Sequence, residues 1–149
     1  MFDRDLLKDK RILVTGGGTG LGKEISLGFA AHGAHVFICG RRPEVLEQAA
    51  GEIRARSGGQ ADALVANVRD PDSIEKMMAD IWTTGPLTGL VNNAGANFLA
   101  PTETLSPRGY EAIRSTIMDG SFYAAQGCGR RWIAAGEAEI ARARGGGAA

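Results

Sequence analysis

The sequence predicts an α/β fold: a doubly wound parallel sheet of about four strands, with helices on both faces. Short apolar, β-branched runs alternate with stretches of helical periodicity four times along the chain, as parallel strands joined by helical crossovers require. A cluster of glycines stands at the first strand-to-helix junction. The 149 residues suffice for one hydrophobic core and are too few to expect a second.

The first strand is RILVTG, residues 11–16, an apolar run closed by glycine. Leu21, Ile25 and Phe29 then recur at helical spacing, which carries a helix to about His32. AHVFICG, residues 34–40, is the second strand. Pro43 opens a helix in which Val45, Leu46, Ala49 and Ile53 share a face. ADALVANV, residues 61–68, is the third strand. Asp70 is an N-cap, Pro71 stands in the first turn, and Ile74, Met77, Met78 and Ile81 form the buried stripe of the third helix. TGLVNNAG, residues 88–95, is a fourth strand running into a loop. Ser106 and Pro107 open a longer helix through Ile113 and Ile117 to about Trp132. Such sheets bind ligands at the carboxyl ends of their strands, beside the point where strand order reverses. The loops after strands one, two and four are therefore the places to look for chemistry.

Composition narrows the function. Lysine and arginine number 17, as do aspartate and glutamate, so no net charge draws the chain to nucleic acid or to an anionic membrane. No apolar run reaches the roughly 18 residues of a spanning helix. The opening MFDRDLLKDK carries charges where a secretory signal needs an apolar stretch, which makes the cytoplasm the expected compartment. Cys39 and Cys128 form no CxxC pair, so neither a metal site nor a redox dithiol is expected.

The first loop is TGGGTGLGKE, residues 15–24. Gly16 supplies the turn from strand into helix. Gly18, Thr19, Gly20 and Leu21 bring backbone toward the helix N-terminus, where partial positive charge favours a pyrophosphate. Gly22 allows the helix to pack closely on the sheet. Residues 17–23 also fit the phosphate loop G-x-x-x-x-G-K, but that pattern needs serine or threonine next, and the next residue is Glu24.

T-G-x-x-x-G-x-G at residues 15–22, together with NNAG at 92–95, resembles the short-chain dehydrogenase/reductase family. The resemblance runs from about Leu6 to Trp132 and implies a Rossmann-like fold, of which this chain holds the N-terminal part, binding NAD or NADP for hydride transfer. Strand two ends CGRR, with Arg41 and Arg42 where an NAD enzyme has a carboxylate. Arginine suits a ribose phosphate, so NADP (NADPH) is the expected cofactor. Asn67 and Val68 stand where the family approaches the adenine, Asn67 replacing the usual aspartate. The family pattern places Asn92, Ala94 and Gly95 along the cofactor, and gives Asn93 a bracing role.

NNAGANFLAPTETLSPRGY is similar to the corresponding stretch of the 2,4-dienoyl-CoA reductase branch, although the order of Gly95 and Ala96 differs. That branch also lacks the long-helix asparagine of most members, and Ile117 stands there here. The resemblance implies NADPH-dependent reduction of a conjugated double bond in an acyl-CoA, with Asn97 and Phe98 near the thioester. A wider reading is an oxidoreductase of ketones and secondary alcohols.

The family's Tyr-x-x-x-Lys is absent: Tyr110 and Tyr123 are followed four residues on by Arg114 and Gly127. No catalytic residue is therefore assigned. GEAEIARARGGGAA, residues 136–149, has no strand pattern and reads as a low-complexity, disordered tail after a Rossmann domain over 1–135. The expectation is a chain truncated or frameshifted after about Ala135. Three functions stand open: a reductase by descent, a non-catalytic dinucleotide-binding module, or an inactive fragment. Homo-oligomers through the long helix are what the family implies.

Overall fold

A computed structural model of the chain describes residues 2–145. Strands β1 (Arg11–Thr15), β2 (His35–Gly40), β3 (Gln60–Val65) and β4 (Gly89–Val91) form one parallel sheet in the order β3-β2-β1-β4. The chain winds outward from β1 to β3, then returns to place β4 on the other side of β1. The order therefore reverses between β1 and β4, and the crevice above their carboxyl ends is the ligand position of such sheets.

Period-two alternation gives each strand two apolar faces. Ile12, Val14, Val36, Ile38 and Ala61 pack against Ala30 of α1 (Gly20–Ala31) and against Leu46, Ala49, Ala50 and Ile53 of α2 (Pro43–Ser57). On the opposite face, Leu13, Phe37 and Cys39 meet Ile74, Met77, Met78 and Ile81 of α3 (Pro71–Trp82). The predicted stripe of α3 is thus buried in full. Its cap also forms, since Asp70 accepts the Asp72 N–H at 3.1 Å.

After β4, the chain makes a 3-10 turn at Thr102–Thr104 and enters α4 (Pro107–Arg114), capped by the Ser106 hydroxyl on the Gly109 N–H at 3.1 Å. A π-helical turn, Ser115–Asp119, joins α4 to α5 (Gly120–Gly145). Small residues let α5 approach the sheet: a Cβ on Gly120 would come within 2.9 Å of Val68 Cγ2, and Ala124 and Cys128 are fully buried. Arg131 clasps the Glu75 carboxylate of α3, and Trp132 Nε1 donates to the Leu87 carbonyl at 2.6 Å.

The C-terminal segment differs from the expectation of a tail beginning at residue 136. The helix continues to Gly145 instead of closing near Trp132. Alanine, glutamate and arginine, which fill 137–144 apart from Ile140, lack strand character but are strong helix formers. The last part of the expected tail, 146–149, lies outside the described residues. Among the described residues no helix is long and apolar enough to cross a membrane.

Candidate functional site: a cationic cleft at the strand ends

The glycine loop folds over the end of β1 because side chains are excluded there. Gly16 has φ +67, and a Cβ on it would lie 2.9 Å from the Ala94 Cα. Thr15 anchors the facing loop: its hydroxyl accepts the N–H groups of Asn93 at 3.1 Å and Ala94 at 3.0 Å. Asn93 returns the contact, its amide donating to the Thr15 and Gly16 carbonyls at 3.0 and 3.3 Å. The loops after β1 and β4 are thereby tied together across the switch point.

Between these loops and the ends of β2 and β3 lies a cleft of about 730 Å³. Gly16, Gly18, Thr19, Gly20, Leu21 and Gly22 form its floor. Thr19 is the N-cap of α1 but makes no side-chain cap bond, so the first N–H groups of that helix are left to a ligand. Gly20 has φ +52, and a Cβ there would meet no protein atom within 4 Å. Its missing side chain leaves the cleft open beside the first turn of α1.

Arg41, Arg42, Asn67 and Val68 form the wall at β2 and β3, and Ala94 and Gly95 the wall at β4. Of the expected residues, Asn92 alone does not line the cleft: its amide donates to the Ser121 carbonyl at 3.2 Å and ties the β4 loop to α5. Asn93 braces the sheet as expected and also borders the cleft. Asn67 shapes its own loop, its side-chain carbonyl accepting the Arg69 N–H at 3.2 Å.

Arg69, Ala112 and Thr116 are among the lining residues that the sequence reading did not single out. The last two come from α4 and the π turn, far along the chain, and no local motif marks them. Among the described residues, three arginines and no carboxylate line the cleft. Neither Arg41 nor Arg42 forms an ion pair among the described residues, although Glu44 and Glu47 are close in sequence.

The phosphate-loop alternative finds no support. Lys23, which would have to reach the phosphates, is held by Glu52 of α2 at 2.7 Å. Glu24 pairs with Arg56 at 3.3 Å. Cys39 borders the cleft but is fully buried, and burial pushes its thiol up to about 12, so no thiolate is present at neutral pH.

A second cavity of about 660 Å³ adjoins the cleft and shares Arg69, Phe98 and Ala112 with it. Phe98, Leu99 and Leu105 give it apolar surface; Arg69 and Arg108 line it together with Glu111, whose carboxylate is paired with Arg114. Leu99 is wholly exposed.

A family model described as short chain dehydrogenase matches residues 10–143. The chain belongs to that family. It is an oxidoreductase family whose members use nicotinamide dinucleotides. The chain is 42% identical to an uncharacterized oxidoreductase of Caenorhabditis elegans, over 85% of this chain and 41% of the relative. It is 34% identical to a probable 2,4-dienoyl-CoA reductase of Bacillus subtilis, over 85% of this chain and 50% of the relative. Among solved structures, a citronellol catabolism dehydrogenase of Pseudomonas aeruginosa superposes with a TM-score of 0.81 at 34% identity, covering 88% of this chain and 54% of that one. The chain spans about half the length, or less, of these curated relatives.

Proposed function

We propose that the cleft binds NADP(H), and that the complete protein reduces a conjugated double bond in an acyl-CoA thioester. The observation that carries the cofactor reading is the lining of three arginines without a carboxylate, over the uncapped N-terminus of α1. A pyrophosphate suits the helix N-terminus, with Gly20 leaving it room. A ribose phosphate suits the guanidinium forks of Arg41 and Arg42, which no carboxylate among the described residues pairs with. When bound, the nicotinamide supplies the hydride.

The substrate reading is supported by the second cavity, where apolar surface and two arginines suit an acyl chain on an anionic carrier, the one lining carboxylate among the described residues, Glu111, being paired with Arg114. The dienoyl-CoA reductase named above is a relative over most of this chain. Neither Tyr110 nor Tyr123 lines the cleft, and neither is followed by lysine at the fourth position. We accordingly propose that the 149-residue chain supplies the dinucleotide site and does not turn over by itself.

Calorimetric titration of the chain with NADPH and NADH tests this. NADPH should bind more tightly, and changing Arg41 and Arg42 together to alanine should erase about tenfold or more of that preference, as loss of charged hydrogen bonds implies. Equal affinity for both dinucleotides would overturn the phosphate assignment. A folded chain that binds neither would overturn the dinucleotide site.

A further inference from the structure

We infer that the Thr116 hydroxyl, presented by a π turn braced by Arg114 and Asp119, reads the amino edge of the purine in a bound dinucleotide. This rests on the reading of the cleft proposed above.

Residues 107–145 would form one uninterrupted helix but for the π-helical turn at Ser115–Asp119. Such turns insert a residue into the helical repeat and occur often at functional sites. Here a side-chain clamp favours it. Arg114 Nη1 reaches Asp119 Oδ1 at 2.8 Å, a separation of five residues that suits the wider turn. The same guanidinium holds Glu111 through two bonds of 3.1 and 2.8 Å. Both flanks of the turn are thus tied to one planar group.

The turn places Thr116 in the cleft wall with Ala112, while Ile117 and Met118 are exposed. Thr116 Oγ1 donates its proton to the Ala112 carbonyl at 2.8 Å. Its remaining capacity toward the cleft is as an acceptor.

The location follows from the packing of α5. Gly120, the first residue after the π turn, lies against Val68. Asn67, Val68 and Thr116 all line the cleft. With the ribose phosphate at Arg41 and Arg42, on the loop after β2, the purine of that nucleoside falls toward β3, the next strand outward. Adenine presents an amino group, a donor that matches the Thr116 lone pairs. Hypoxanthine carries an oxygen in its place, which sets acceptor against acceptor unless the hydroxyl turns to donate to it and gives up its bond to the Ala112 carbonyl.

The test is calorimetric titration with NADP+ and with nicotinamide hypoxanthine dinucleotide phosphate. The wild-type chain should prefer the adenine form, and Thr116→Val should reduce that preference by about three- to tenfold, the range for one hydrogen bond. Thr116→Ser should retain it. Asp119→Asn should reduce it through the turn, without removing any group from the cleft. Circular dichroism identifies variants that fail to fold, and Thr116→Ala replaces Thr116→Val if that variant does. A preference unchanged in a folded variant lacking the hydroxyl would overturn the role of Thr116 and leave the dinucleotide site standing. A folded wild type that bound neither compound would overturn both.

Discussion

Thr15 and Asn93 hydrogen-bond each other in both directions: the Thr15 hydroxyl accepts the Asn93 N–H at 3.1 Å, and the Asn93 amide donates to the Thr15 carbonyl at 3.0 Å. Thr15 is 2% exposed, so water cannot readily replace these partners. Thr15→Val keeps the shape of the side chain but leaves the N–H groups of Asn93 and Ala94 without their acceptor. We expect a loss of about 1–3 kcal/mol in stability, measured by urea denaturation, together with weaker dinucleotide binding as the two loops separate.

Gly16 and Gly20 should respond differently to alanine. Both have positive φ, +67 and +52, and an L-residue there costs roughly 1–2 kcal/mol. At Gly16 the new methyl would also press on the Ala94 backbone, so Gly16→Ala should be the more destabilising of the two in a denaturation series. At Gly20 the methyl would meet only open cleft. Gly20→Ala should therefore stay near that cost and act chiefly on dinucleotide affinity.

Both cysteines should be silent to thiol reagents in the native chain. Burial raises Cys39 from 9.0 to about 12 and Cys128 to about 11. A group with a raised folded pKa stabilises the fold fully below its unfolded value, and that contribution is lost as pH rises toward the folded value. Stability should decline as pH climbs above about 9, and thiol titration should find both groups reactive only after unfolding. Replacing both with serine would shift this alkaline limb if the assignment is right.

Glu75 gives the opposite sign. Its hydrogen bond to Arg131, above all, holds its carboxyl below the usual range. The pairing stabilises above the unfolded carboxylate pKa and is lost as pH falls through the depressed folded value. Both partners are partly exposed, so the effect is screened by salt and modest. Glu75→Gln should lower the thermal midpoint at pH 7 in low salt, and the difference from wild type should shrink as the solution is acidified through that range.

Local periodicity made the sheet and its first three helices legible in the sequence. Ile74, Met77, Met78 and Ile81 fall on one stripe whatever surrounds them, and that stripe is buried. The glycine loop was equally legible, because strand, glycines and helix are contiguous. Thr116 was not, since its place depends on an ion pair across a π turn, and a π turn has no periodic signature. Asn92 and Asn93 are adjacent on an extended segment and point opposite ways, and the position of α5, which accepts the Asn92 amide at the Ser121 carbonyl, is not written in the local sequence. The end of α5 has no strand pattern in the sequence, and its Ala, Glu and Arg favour helix.

The bonds between Thr15 and the β4 loop join residues 78 and 79 positions apart, and the β4 strand they hold has three residues. Loop closure over such a distance is entropically slow, and little strand pairing rewards it. We therefore expect the cleft to be among the last features to assemble on the folding path and among the first to open. A molecule that bound there would act on the lifetime of the native state, by holding shut the contact on which the cleft itself depends.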